Sequence, residues 1–120
     1  MDNLFHVQFR FTGDAQIADL YGDLSKSADE SLLQLRNWDD GLEDGRKYLI
    51  LNFTHVPYIN SLGIAVLIRI VRSGLKGGYQ TFAYGVTPHY QKLFRMVGLT
   101  EYMMIYPDEY AIQQRIASLL

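Results

Sequence analysis

The sequence predicts a single α/β domain spanning residues 1–120: a mixed, mostly parallel β-sheet with about four helices, in the order ββαβαβαβα. Three observations carry this. Short strand-like runs alternate with helical patterns after an initial hairpin, which implies parallel strands joined by helical crossovers. The chain has 120 residues, of which 48% are hydrophobic, enough for one core and too few for two. It has no cysteine, so neither disulfides nor thiolate metal sites support the fold, and it must rest on packing.

The segment His6 to Phe11 alternates polar and apolar residues, placing Val7, Phe9 and Phe11 on one face of a half-buried strand. Gly13-Asp14 reads as a turn, and Gln16 to Tyr21, closed by Gly22-Asp23, completes a hairpin. Ser27-Ala28-Asp29-Glu30 matches a capping box. A helix is expected from it to about Asp40, with Ala28, Leu32, Leu35 and Leu42 at helical spacing, Trp38 close to that stripe, and Gly41 or Gly45 as its end. Tyr48 to Phe53 is a nearly continuous apolar run, the profile of a central strand covered on both faces. From Ser61 to Lys76 the pattern turns helical, with Ile64, Leu67, Ile68, Val71 and Leu75 as the core stripe and Ala65, Arg69, Arg72 and Lys76 opposite it, until Gly77-Gly78 stops the helix. A strand from Tyr79 to Gly85, a helix capped by Thr87 with Pro88 first, a strand around Tyr102 to Tyr106 and a last helix capped by Asp108 follow.

Composition narrows the function. A net charge of −2 with both signs interspersed gives no electrostatic footprint for nucleic acid. Met1-Asp2-Asn3 precedes no signal-like run, and no uninterrupted apolar segment approaches the roughly 18 residues of a membrane span. A soluble, unprocessed, cytoplasmic protein with no direct membrane insertion is expected. His6, His55 and His89 lack metal-ligand spacing, and Asp39-Asp40 with Glu43-Asp44 read as a solvated loop, so no metal and no cofactor are expected. Gly74, Gly77 and Gly78 stand at the end of a helix, where they cannot cradle a phosphate. With no nucleophile-base pair either, an enzyme is not expected.

What remains is the turn Val56-Pro57-Tyr58-Ile59-Asn60-Ser61-Leu62-Gly63-Ile64. Pro57 forces an extended lead-in, and Asn60 or Ser61 can cap the following helix. A hydroxyl there stands at the carboxyl edge of a parallel sheet, among free amides whose partial positive charge would accommodate a phosphate.

This turn resembles the STAS domains, and within them the anti-sigma factor antagonists of bacterial partner-switching systems. The family pattern, aromatic-aliphatic-Asp-Ser-(Ser/Thr)-Gly-(Leu/Ile), is similar to Tyr58-Ile59-Asn60-Ser61-Leu62-Gly63-Ile64. Pro88 to Leu99, ending in Gly98-Leu99, resembles the family's helix before the last strand, and Gly22-Asp23-Leu24 its Gly-(Glu/Asp)-Leu. The resemblance implies a binding and switching module with Ser61 as phosphoacceptor and an anti-sigma factor or histidine-kinase-like serine kinase as partner. Leu62 and Val66, on the flank between the core stripe and Arg69, either form an exposed strip beside Ser61 or are covered by a neighbouring loop or the next helix; on the first reading Tyr58, Asn60, Ser61, Leu62, Val66 and Arg69 are the expected partner-binding residues. The family's Asp is Asn60 here and its second hydroxyl is Leu62. Two other readings stand beside this one: a STAS scaffold or transporter-accessory subunit whose serine is never modified, and a small-ligand-binding α/β domain using the sheet edge near Asn60 and Ser61. A homodimer is left open.

Overall fold

The alternation along the first segment becomes strand β1 (His6–Thr12) of the computed structural model, which describes residues 4–120; Met1, Asp2 and Asn3 lie outside the described residues. β1 pairs antiparallel with β2 (Ala15–Tyr21) across a tight turn in which Gly13 takes a φ of 55°. Strands β3 (Tyr48–His55), β4 (Gln80–Tyr84) and β5 (Met103–Ile105) add in parallel, and the sheet runs β1-β2-β3-β4-β5. β3 is central, and all six residues from Tyr48 to Phe53 are buried, because layers cover both faces of the sheet.

On one face lie the long excursion between β2 and β3, helix α1 (Ser61–Gly77) and helix α2 (Pro88–Met96), packed through Leu24, Trp38, Leu67, Ile70 and Phe94 onto Leu49 and Leu51. The other face carries helix α3 (Glu109–Ser118), which seats Ile112 and Ile116 on Ile17, Ile50 and Phe82. The expected caps form: Asn60, Thr87 and Asp108 each accept a backbone N–H in the first turn of α1, α2 and α3, and Gly78, left-handed at φ 75°, closes α1. At the start of α3 the same face turns polar. The Arg10 guanidinium donates twice to Asp19, at 2.6 and 3.0 Å, and reaches Glu109 at 2.8 Å; Asn52 donates to Asp19 and Tyr84 to Glu109.

Three expectations fail, each for a local reason. The helix expected from Ser27 to Asp40 is a short π-helical segment, Asp29–Leu33, with no side-chain cap, followed by a separate turn at Trp38–Asp40. The Leu32 carbonyl, which a continuing helix would offer to the amide of Arg36, instead accepts the Trp38 indole N–H at 2.8 Å. Leu35 is consequently exposed. Leu75 is exposed too, because the end of α1 approaches the chain before β4 so closely that Gly74 occupies the packed position; a Cβ there would lie 2.4 Å from the Tyr79 carbonyl oxygen. Phe11 does not share the cover of Val7 and Phe9 but stands exposed with the Arg46 guanidinium 4.5 Å from its ring centre.

Candidate functional site

After His55 the chain leaves the carboxyl edge of β3 through Pro57 and enters α1 at Asn60. Three sets of contacts fix this turn. Leu24 donates its amide to the Tyr58 carbonyl at 2.9 Å and accepts the Asn60 amide at 3.2 Å, a short parallel bridge between the excursion and the turn. The Tyr90 hydroxyl of α2 accepts the amide of Ile59 at 2.9 Å. The Asn60 side chain accepts the amide of Gly63 at 3.0 Å, the capping bond that starts α1.

Gly63 explains how close the packing is. A Cβ at this position would lie 2.0 Å from the Leu24 carbonyl oxygen, so only glycine lets the first turn of α1 lie against the Leu24 backbone. Glycine loses more conformational freedom on folding than any other residue, and this close approach offsets that cost here. At the ends of β1, β2 and β3 the rings of His6, Tyr21 and His55 stack, with centroids 4.7 and 5.1 Å apart.

The structure gathers Tyr58, Asn60, Ser61 and Leu62 on one surface. Tyr58 and Leu62 are each about half exposed, at 51% and 52%, and flank the exposed Ser61. The Ser61 hydroxyl makes no hydrogen bond among the described residues, since the capping role belongs to Asn60. The expected strip beside it is shorter than Leu62 and Val66 together: Val66 is buried, on the α1 flank that Gly63 and Ile70 share towards the excursion. Arg69 is exposed but stands eight residues up α1, about 12 Å from Ser61 along the axis. It lies two turns further along the exposed face of α1 that Leu62 begins.

Sequence reasoning missed two residues that hold the turn. Gly63 carried a signal, because a glycine in a first helical turn needs a packing reason. Tyr90 carried none, since its bond to Ile59 joins segments 31 positions apart. Among the described residues no three His, Asp or Glu side chains are arranged to hold a metal ion, and no helix is long and apolar enough to cross a membrane.

The model of the STAS domain family matches residues 15–112. Solved structures with the same fold include a variant of RsbS from Moorella thermoacetica, at 18% identity and TM-score 0.76, covering 94% of this chain and 96% of that one. The anti-sigma factor antagonist SpoIIAA in its unphosphorylated form is similar at 21% identity and TM-score 0.67 (92% and 96% covered), and the phosphorylated form from Bacillus at 22% and 0.64 (90% and 97%). A sulfate transporter family protein from Wolinella succinogenes also shares the fold, at 20% identity and TM-score 0.64, covering 79% of this chain and 80% of that one.

Proposed function

The chain belongs to the STAS domain family, and from that premise we propose that it is a non-enzymatic anti-sigma factor antagonist of a bacterial cytoplasm, binding an anti-sigma factor or switch-protein kinase through the turn at Ser61. The observation that carries the reading is the Ser61 hydroxyl: exposed, without a partner of its own, at the start of a helix whose cap is a different residue. Such a hydroxyl can accept a phosphoryl group without loss of a structural bond. The amides at the start of α1 and the positive end of its dipole favour the added anion. Tyr58 and Leu62 on either side supply apolar area of the kind an interface core uses.

Phosphorylation adds about −1.5 to −2 charges to that surface. Desolvating them against an apolar or acidic partner costs several kcal/mol, and a net penalty of about 3 kcal/mol weakens binding on the order of a hundredfold. The test is recovery of the protein from cells with its bound partner, with intact mass read for one phosphate and the site mapped. Ser61→Ala should keep the partner and Ser61→Asp should lose it; equal affinity of all three forms would falsify the switch. Asn60→Asp should speed phosphoryl transfer, since a carboxylate beside the serine helps to orient the hydroxyl and the metal of the nucleotide.

Two observations favour a second reading. Asn60 replaces the family's usual acid, and a transporter-family protein shares the fold. A STAS scaffold or transporter-accessory subunit would hold its partner without ATP and with Ser61 unmodified, so a stable complex that ATP does not disturb would select it.

A further inference from the structure

The outer face of α1 differs in charge from the rest of the molecule. Leu62, Ala65, Arg69, Arg72 and Lys76 follow one another at alternating three- and four-residue steps and are all exposed, one stripe about 20 Å long. The 17-residue helix contains no acidic residue, although the protein as a whole carries a net charge of −2. An ordinary solvated face mixes the signs and pairs them at i, i+4. Here Arg69, Arg72 and Lys76 have no ion-pair partner among the described residues, whose salt bridges all lie elsewhere.

Beside this stripe runs a trough. A cleft of about 400 Å³ opens between α1 and the segment from Leu33 to Asp39, and a second of about 350 Å³ continues it towards Lys76; Asp39, Arg69 and Ser73 line both. Leu33 and Ile68, half-buried side chains packed on the core, supply an apolar floor, and Arg69 and Arg72 supply cationic walls. At one end Arg36 holds its guanidinium against the Gly41 carbonyl and over the Trp38 ring while its buried Nε has no hydrogen-bond partner.

We infer that this trough docks an amphipathic helix of the partner protein, with apolar residues on the floor and carboxylates towards Arg69, Arg72 and Lys76. A groove between two convex elements is a shape a third helix fills, and the unpaired cations set the sign of its charge. The inference rests on the switch reading of Ser61 and deepens it. The stripe begins at Leu62, beside the serine, so an acidic helix lying on it meets a phosphate of like charge at that end. A basic partner would instead be drawn in by phosphorylation, so an acidic one accounts for release.

The test uses the full ¹⁵N-labelled chain and a synthetic helical peptide of about 14 residues, the length of the stripe at 1.5 Å per residue, with leucines on one face flanked by glutamates. At up to ~1 mM peptide, a range that detects millimolar binding, the expected result is shift changes confined to Leu62–Lys76 and Leu33–Asp39. Affinity should fall about tenfold in the Arg69→Glu/Arg72→Glu variant, whose fold is checked by its remaining amide spectrum, and further in high salt. Replacement of the peptide's glutamates by lysines should abolish binding. The inference is overturned if the peptide leaves the stripe unmoved or if the lysine peptide binds as well. It is also overturned if phosphatidylglycerol vesicles occupy the stripe and the peptide does not, or if the same shifts track protein concentration alone, which would make the occupant a second copy. The two claims fail separately: binding of the glutamate peptide with Ser61 never phosphorylated removes only the switch, and phosphorylation without peptide binding removes only the trough.

Discussion

Asn60, Ser61 and Gly63 divide three tasks that one residue could not perform together. Asn60 supplies the cap, which frees the Ser61 hydroxyl, and Gly63 lets the helix start lie against Leu24. The consequences of substitution therefore differ in kind. Asn60→Ala removes one capping bond and should cost about 1 kcal/mol. Asn60→Asp keeps the acceptor and adds a charge at the positive end of the helix, so stability should hold or rise by about 0.3–1 kcal/mol. Gly63→Ala puts a methyl 2.0 Å from a backbone oxygen that no rotamer change can move. It should cost about 3 kcal/mol, the upper end for overpacking, as α1 and Leu24 are forced apart. Urea midpoints of the three variants rank these effects, and a Gly63→Ala protein as stable as the parent would show that the turn is not held by this approach.

At the scale of elements, α1 is positioned from both ends of its lead-in, by the bridge to Leu24 and by the Tyr90 hydroxyl of α2. Tyr90→Phe leaves the Ile59 amide unpaired and should cost about 1 kcal/mol, with faster amide exchange at Ile59 and unchanged exchange in β3. These couplings mark where sequence reading succeeds and where it stops. Strands β1 to β5, the caps at Asn60, Thr87 and Asp108, and the turn at Ser61 were legible because each depends on neighbours within a few positions. The segment after Ser27 has an equally good local signature and does not obey it. There the Trp38 indole takes the Leu32 carbonyl, and Trp38 buries itself beside Tyr79, a contact of tertiary origin. Val66 allows either exposure or cover by a neighbouring segment when α1 is considered alone, and it is buried because the excursion packs on that flank. Gly74 and Leu75 exchange roles for the same reason: a stripe written for a helix on a flat sheet cannot show where a neighbouring chain comes within contact of its end.

For the whole molecule, the two faces of the sheet are secured differently. One is buried under α1, α2 and the excursion; the other depends on a single ten-residue helix that seats only Ile112 and Ile116 fully in the core. The charged network compensates, since Arg10 on β1, Asp19 on β2, Asn52 on β3, Tyr84 on β4 and Glu109 at the start of α3 tie four strands to that helix. Bonds from Arg10, opposed in part by burial, hold the Asp19 carboxyl below the usual carboxylate range. Because the folded value is the lower one, this stabilisation is complete above the ordinary pKa of about 3.9 and is lost as pH falls through the folded value. Burial, with the bond to Glu109, pushes Tyr84 up to about 12. A raised phenol works in the opposite direction: its contribution is intact below its ordinary value of about 10 and disappears as pH rises through the folded one. Stability should therefore decline at both extremes, with α3, which the network ties to the sheet through Glu109, exchanging its amides faster there than at neutrality. Asp19→Asn should cost about 1–2 kcal/mol near neutrality and flatten the acid limb while leaving the alkaline limb in place. Urea midpoints measured from about pH 2.5 to 12 compare the two limbs in the two proteins. Parallel acid limbs would show that other carboxylates govern the loss, and that α3 is held by Ile112 and Ile116 without help from the network.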